Sequence, residues 1–345
     1  MAHEMEKHDS AMFGSGRAAW HGLGNVIQGC PNAEEALIQS GLGWEVAKEQ
    51  IFLEVAPGQY IPIPGWFSTC RQDLPKDEAA RVLGCVRQSY KVIQNVEAFG
   101  FATALLGQGV EFETAGSIRN GKIVYMLARK PENIIVKDDT IGEYLLITNS
   151  HDGTRSMQVF FTGIRVVCSN TLHAAMRGAK NMVKIPHKGD IEEQIKLAKG
   201  ILGLADKYFT RFGAMAVTLA DVKMTKDNAR EFLKTLWPDG ESKRGITFAT
   251  KSRDEVMWLF NGGQMGGSQD AVNGTAWGLL NAITESVDHP AKITRTRNRN
   301  PLEVAFERSM LTSGANFKSL AFDRLVDFTG VGDGELTNME VATVN

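Results

Sequence analysis

Two turn dipeptides, Asn120-Gly121 and Asp152-Gly153, do most to restrict how this chain folds. Each lies between β-prone apolar runs, and glycine takes the positive φ of a tight hairpin turn without a steric cost. Before the first turn Val110-Glu111-Phe112-Glu113 alternates, and after it Ile123 to Leu127 returns. Before the second, Tyr144-Leu145-Leu146-Ile147 runs into the polar knot Asn149-Ser150-His151-Asp152-Gly153. After it, Met157, Val159 and Phe161 alternate with Ser156, Gln158 and Phe160. Two hairpins in succession predict a four-strand antiparallel meander. The next apolar run, Ile164 to Cys168, ends at Ser169-Asn170-Thr171, residue types that cap helices, so a helix is predicted over Thr171 to Arg177. A helix over Val96 to Leu106, capped by Asn95 and ended by Gly107 and Gly109, precedes the meander.

On the N-terminal side, Asn32 and Glu35 form a capping-box pattern for a short helix stopped by Gly41. Trp44 to Val55 alternates in two phases, which predicts a strand with a bulge near Glu49. Tyr60 to Phe67 is apolar, but Pro62 and Pro64 argue against a central strand. Gly84 to Ile93 is a further strand candidate. After residue 189 the period changes to that of helices. One is predicted over 190–212, with an apolar stripe through Ile191, Ile195, Ala198, Leu202, Ala205 and Phe209. Others are predicted over Thr225 to Trp237, over Ser252 to Phe260 with Ser252 as cap, and over Gly274 to Val287. Two more follow, one opened by Pro301 and one carrying Phe317, Leu320, Ala321 and Leu325. The fold class expected is α+β: an N-terminal antiparallel β-meander packed with helices, then a helical part. The organisation expected is an N-terminal arm over 1–30, a β-rich core domain over 31–188, a mainly helical domain over 189–328 and a disordered acidic tail over 329–345, with the main boundary near Pro186 to Gly189.

Charge distribution is more informative than total charge. The formal net charge is only −2, yet no Asp or Glu occurs from Gly153 to Gly189. That span carries Arg155, Arg165, Arg177, Lys180, Lys184 and Lys188. A second basic segment, Lys292 to Pro301, places Arg295, Arg297 and Arg299 two apart. In an extended chain those three lie on one face at about 6.6 Å intervals, a spacing suited to phosphates along a single strand. Both segments equally fit solvated basic faces or a linker. Tyr125, Phe160 and Phe161 are candidate stacking platforms, with core positions as the ordinary alternative. The four cysteines, Cys30, Cys70, Cys85 and Cys168, are widely spaced and form no zinc pattern, which suggests free thiols in a reducing compartment. The polar N-terminus and the lack of any apolar run near membrane length predict a cytoplasmic protein without a membrane partner.

Chemistry is less well marked. Cys168, at a strand end before a predicted helix, is a candidate nucleophile, with His151 or His173 as base and Asp152 as orienting group. A lone cysteine in an apolar run is more commonly a buried hydrophobe. A nuclease would instead use Asp152 with Asp138, Asp139 or Glu143 on a divalent metal, without a compact acidic motif in support. His21, in Trp20-His21-Gly22-Leu23-Gly24, could meet His3 or His8 at a metal, but no carboxylate or cysteine stands at ligand spacing, and a packed arm is the simpler reading. The glycine-rich Asn261 to Gly267 lacks the Gly-Lys-Ser/Thr of a phosphate loop. No catalytic residue, metal or cofactor is therefore expected.

The Trp20–Gly24 segment, the Asn149–Gly153 turn, Arg165-Val166-Val167-Cys168-Ser169-Asn170-Thr171-Leu172, and Trp277-Gly278-Leu279-Leu280-Asn281-Ala282 with Asp288-His289 resemble the phage/plasmid-like protein family, a family of unknown function. The resemblance covers roughly residues 1 to 328 and implies a phage, prophage or plasmid origin without an established activity. The order helix, β-meander, helix is also similar to the core of the RecT and Red-beta single-strand annealing proteins. Those proteins form rings and hold DNA in a basic groove. The expectation is a homo-oligomer that binds nucleic acid, single-stranded DNA in particular, through Arg155, Arg165, Arg177, Lys180, Lys184, Arg295, Arg297 and Arg299. The alternatives are a Cys- or metal-dependent enzyme acting on nucleic acid, and a non-catalytic protein that counters host defence.

Overall fold

The computed structural model describes residues 9, 11–13, 25–26, 32–106, 111–137, 139–165, 171–172, 182–189, 191–263, 272–289 and 300–331. The Trp20–Gly24 cluster, Cys30, the second basic segment from Lys292 to Arg299 and the tail after Val331 lie outside these residues, while Thr329, placed in the tail by the sequence reading, ends a helix.

The two predicted hairpins are present and form the centre of the fold. Strands β6 (Glu111–Ile118), β7 (Ile123–Val136), β8 (Asp139–Ser150) and β9 (Met157–Arg165) pair in sequence, all antiparallel. Gly121 and Gly153 have φ of 87° and 75°, as the turns require. Short strands extend the sheet on both sides. β1 (Ala11–Phe13) pairs with β6 and with β2 (Asn25–Val26), while β10 (Thr171–Leu172) and β11 (Met182–Ile185) share the outer edge of β9. The helix expected from Thr171 therefore begins instead as a strand, and residues 173–181 lie outside the described set. The arm adds to the sheet in cis: the Asp9 carboxylate accepts from Ser117 Oγ and from the amides of Asn120 and Gly121.

Both faces of this sheet are covered. Val124, Met126, Leu145, Ile147, Val159 and Phe161 face one side, against α2 (Asn95–Leu106) and α3 (Ile191–Asp221). Tyr125, Leu127, Tyr144, Leu146 and Ile164 face the other, against Phe306 and Met310 of α7 (Pro301–Leu311). Double coverage explains why these strands read as almost continuous apolar runs. It also removes Tyr125 and Phe161 from the candidate stacking platforms, since both are fully buried.

The second sheet is β3 (Val46–Ala56), β4 (Gln59–Arg71) and β5 (Val82–Arg87) in that order. The bulge predicted near Glu49 falls between Gln50 and Phe52. Against expectation, the proline-bearing run belongs to the central strand. The reason is in the register: β5 pairs with β4 only from Trp66 to Cys70, so Pro62 and Pro64 lie where β4 has β3 alone for a neighbour. A proline is tolerated where one side of the strand is open.

The other helices are α1 (Ala33–Gln39), α4 (Lys226–Leu236), α5 (Lys243–Phe260), α6 (Ala276–Asp288) and α8 (Ser313–Thr329). The capping box of Asn32 and Glu35 forms as read. The α3 helix runs on past residue 212 to Asp221, and α5 starts from Ser242 rather than Ser252. Asn95 is not a cap: Glu97 accepts from the Gln94 amide, while the Asn95 side chain donates to the carbonyls of Leu42 and Trp44. One apolar cluster runs from Ala36 through the sheet to Val326, across the Pro186–Gly189 boundary.

The two sheets meet at the 151–156 turn. Thr69 Oγ1 donates to the His151 carbonyl at 2.7 Å, and Tyr90 OH donates to the Ser150 carbonyl at 2.8 Å. A Cβ added to Gly84 would stand 2.4 Å from the Asp152 carbonyl oxygen. Gly84→Ala should therefore force the sheets apart and lower stability by about 2 kcal/mol, measured by urea unfolding. A loss below about 0.5 kcal/mol would mean that the junction gives way easily.

Candidate nucleic-acid interface

The turn that joins the sheets also carries the first cation of the basic segment. Asp152 organises it: its Oδ1 accepts from Ser150 Oγ at 2.5 Å, from Thr154 Oγ1 at 2.6 Å and from the Thr154 amide at 2.9 Å. Burial pushes the Asp152 carboxyl up, but these hydrogen bonds outweigh it and hold the group below its ordinary range. Arg155 follows on the same turn and lies 3.8 Å from the Glu307 carboxylate, a contact that Glu307 shares with Arg119.

Arg155 lines two cavities at once. The first, about 410 Å³, lies between β5, the 153–156 turn and the segment after β11. Trp66, Arg87, Tyr90, His187 and Lys188 contribute to its wall. The second, about 390 Å³, lies where β9 and β11 meet the junction of α7 and α8, with Gln158, Phe160 and Met182 on its floor. Among the described residues no Asp or Glu lines either cavity. The two cavities share Arg155 as a lining residue, and we refer to the pair as the trough. Lys184 is exposed on β11 directly opposite Gln158, hence on the same face.

The other predicted contacts are distributed unevenly. Arg165 ends β9, paired in register with Ile141, and its side chain is outside the described set. Arg177, Lys180, Arg295, Arg297 and Arg299 are outside it altogether. The structure thus brings together Arg155, Lys184 and Lys188, and adds Arg87, which sequence reasoning missed. The Arg87 guanidinium sits 3.9 Å over the Trp66 ring. It makes no ion pair among the described residues. Its only sequence signal is its place at the end of a strand beside Ser89 and Tyr90, and nothing there foretells that β5 docks against a turn so much later in the chain.

The candidate catalytic residues are not assembled. His151 is wholly buried, and its Nε2 bonds Asn95 Oδ1 at 2.8 Å. Burial, aided by the nearby His187, lowers its pKa to about 3. The Asp152 carboxylate is taken up by Ser150 and Thr154 rather than by His151. Cys168, His173 and Asp138 lie outside the described residues. Asp139 accepts from Trp277 Nε1 at 3.1 Å, and Glu143 accepts from Lys130 at 2.9 Å. Among the described residues no group of three His, Cys, Asp or Glu is placed to hold a metal, and no helix is long and apolar enough to cross a membrane.

The profile of a domain of unknown function, DUF932, matches residues 82–311. The chain belongs to the DUF932 family. In this DUF932 chain the matched region runs from β5 to the end of α7, which takes in the meander and most of the trough. The β3–β4 ribbon with Trp66, and α8, fall outside it. Over 72 residues the chain is 38% identical to UPF0380 protein YafZ of Escherichia coli (strain K12). That stretch is 21% of this chain and 26% of YafZ, so the chain spans about a quarter of the length of the curated relative it matches. No solved structure matches the chain.

Proposed function

We propose that this DUF932 protein is a phage- or plasmid-borne nucleic-acid-binding protein that holds a single strand in the trough centred on Arg155 and promotes annealing without a cofactor. The observation that carries the reading is the composition of the trough: Arg87, Arg155 and Lys188 in its walls, Lys184 beside it, no lining carboxylate among the described residues, and an aromatic ring in each cavity. Phosphates need cations, of which Arg87 makes no ion pair among the described residues while Arg155 also faces Glu307 at 3.8 Å, and unpaired bases need aromatic faces. Phe160 is half-buried in the second cavity and Trp66 half-buried in the first, both consistent with stacking. Single-stranded DNA fits better than duplex, because the aromatic contacts require unstacked bases.

Self-association belongs to the same reading. The tip of the β3–β4 ribbon exposes Phe52, Leu53, Val55, Tyr60 and Ile61, each about half open to solvent. Leu53 pairs with Ile61 on one face of the ribbon and Phe52 stands on the other, and exposed apolar side chains gathered at one tip mark a contact surface more often than a free one.

The test is fluorescence anisotropy with a labelled single-stranded oligonucleotide across a salt series, alongside a solution mass. Four phosphate contacts predict a log–log slope of about −3, and roughly a fifty-fold loss of affinity when salt rises about fourfold. Arg155→Ala should cost about tenfold at low salt and flatten the slope by about one. Affinity indifferent to salt would end the reading.

A further inference from the structure

Of the polar residues that line the first cavity, His187 alone is buried, at 6% exposure. Its Nδ1 lies 3.0 Å from the Lys91 carbonyl, which can only accept, so Nδ1 carries the proton. The Lys91 amide donates back to the His187 carbonyl at 3.0 Å, and the ring stacks on Tyr90 at 4.6 Å and 20°. Burial lowers the pKa of the ring, against the pull of the Lys91 bond, and so keeps it neutral. Nε2 is therefore an acceptor, and it has no partner. A buried acceptor without a donor costs stability and marks a place that the N–H of a ligand can fill.

Arg87 stands in the wall of the same cavity, which at about 410 Å³ has room for one nucleotide and not for a run of them. The face of its guanidinium is taken by Trp66, its partner across the strands, at 3.9 Å. Stacking leaves the in-plane N–H groups free to fork onto two acceptors that lie side by side. Arg155 already faces the Glu307 carboxylate at 3.8 Å, so the space does not call for a highly charged occupant. Ser89 and Ser156 add hydroxyls. The complement of this wall is an uncharged planar group with two adjacent acceptors on one edge and N–H donors on the next. Of the four bases guanine alone has both: O6 and N7 accept side by side, and N1–H and the N2 amine donate next to O6. Adenine sets one acceptor beside one amine, and cytosine and thymine each have a single donor group.

From these groups we infer that the cavity between β5, the 153–156 turn and the segment after β11 takes one guanine base of the bound strand, with Arg87 forked onto O6 and N7 and His187 Nε2 accepting from N1–H. The inference rests on the proposed strand-binding reading and adds a sequence preference to it. One base turns into the first cavity, and the strand runs on past Phe160 and Lys184.

The experiment uses labelled thymine oligonucleotides of one length, each with a single central guanine, adenine, cytosine, 7-deazaguanine or N1-methylguanine. Anisotropy is read for the wild type, Arg87→Gln and Lys184→Gln. The guanine strand should bind about tenfold more tightly than the adenine and cytosine strands. 7-Deazaguanine lacks the N7 acceptor and N1-methylguanine lacks the N1–H donor, so each should lose most of that advantage. Arg87→Gln should level guanine, adenine and cytosine, while Lys184→Gln, outside the cavity, should weaken all the strands by one factor. Arg87 and Lys184 are both exposed, so neither change threatens the fold. Equal binding of all the strands by the wild type would overturn the pocket and leave the trough standing. So would a preference for adenine or cytosine, or a guanine preference that survives Arg87→Gln. A preference indifferent to N1-methylation would take His187 out of the contact and overturn the inference. Failure to bind any of the strands would remove the trough, and the pocket with it.

Discussion

Lys318→Met should remove about 3–5 kcal/mol of stability, the largest loss expected from a single exchange in this protein. Lys318 lies on α8 with its side chain closed to solvent, and its Nζ is 2.6 Å from Asp288 Oδ1 at the end of α6, equally closed. Ser309 of α7 completes the group: its Oγ donates to Asp288 and lies 3.2 Å from the Lys318 ammonium. Three helices are thus tied at one buried point. Burial pushes the Lys318 amine below its ordinary range, and Asp288 opposes that shift. Methionine keeps most of the volume of lysine but takes the Lys318 ammonium away from the Asp288 carboxylate in a low-dielectric interior. Most of the loss comes from that buried charge losing an ion pair, not from missing packing. The double exchange Asp288→Asn with Lys318→Met should therefore recover much of the stability lost by Lys318→Met alone. Urea unfolding followed by circular dichroism measures both. A single variant within about 1 kcal/mol of wild type would show that water or a neighbouring group takes up the orphaned carboxylate.

This tie illustrates what could and could not be read from the chain. Local signals were legible. The Asn-Gly and Asp-Gly turns gave the meander, and Asn32 with Glu35 gave the first cap, because each depends on the backbone geometry of a few consecutive residues. Pro301 at the start of α7 is of the same kind. Contacts between distant segments left no such trace. Lys318 and Asp288 are ordinary surface residues by type, and only the packing of α6, α7 and α8 makes them a buried pair. The same holds for the candidate site. The acid-free run after Gly153 pointed to Arg155, Lys184 and Lys188, but Arg87 and Trp66 come from the other sheet and join them only because β5 docks on the 151–156 turn. Pro62 and Pro64 misled for a related reason: the rule against proline in central strands applies residue by residue, and β4 is central over only part of its length.

That turn also sets how stability should depend on pH. His151 lies at its centre, fully buried, with Nε2 on Asn95, the ring edge-on to Trp44, and Nδ1 without a partner. Burial is the main reason its folded pKa falls to about 3, against 6.5 when the chain is unfolded. His187 and Arg71 push the same way, and Asp152 opposes them. Between those two values the unfolded chain binds a proton that the folded one refuses, so unfolding is favoured as pH falls. The contribution of neutral His151 is complete above about pH 6.5 and is lost at about 1.4 kcal/mol per unit on the way down. From pH 6.5 to pH 5 that amounts to roughly 2 kcal/mol, and the loss levels off once the pH drops below the folded value. His187, whose pKa burial also lowers, acts in the same direction. Carboxylates enter mainly below pH 5, which leaves the window from 6.5 to 5 to the histidines. Urea unfolding at several values within that window should show the slope in the wild type. His151→Gln, which keeps a polar group within reach of Asn95 and cannot be protonated, should start from a lower stability and show a distinctly shallower slope. If the wild type is equally stable at pH 6.5 and pH 5, the His151 ring is reached by water or protonated in place, and the junction between the two sheets is looser than its hydrogen bonds imply.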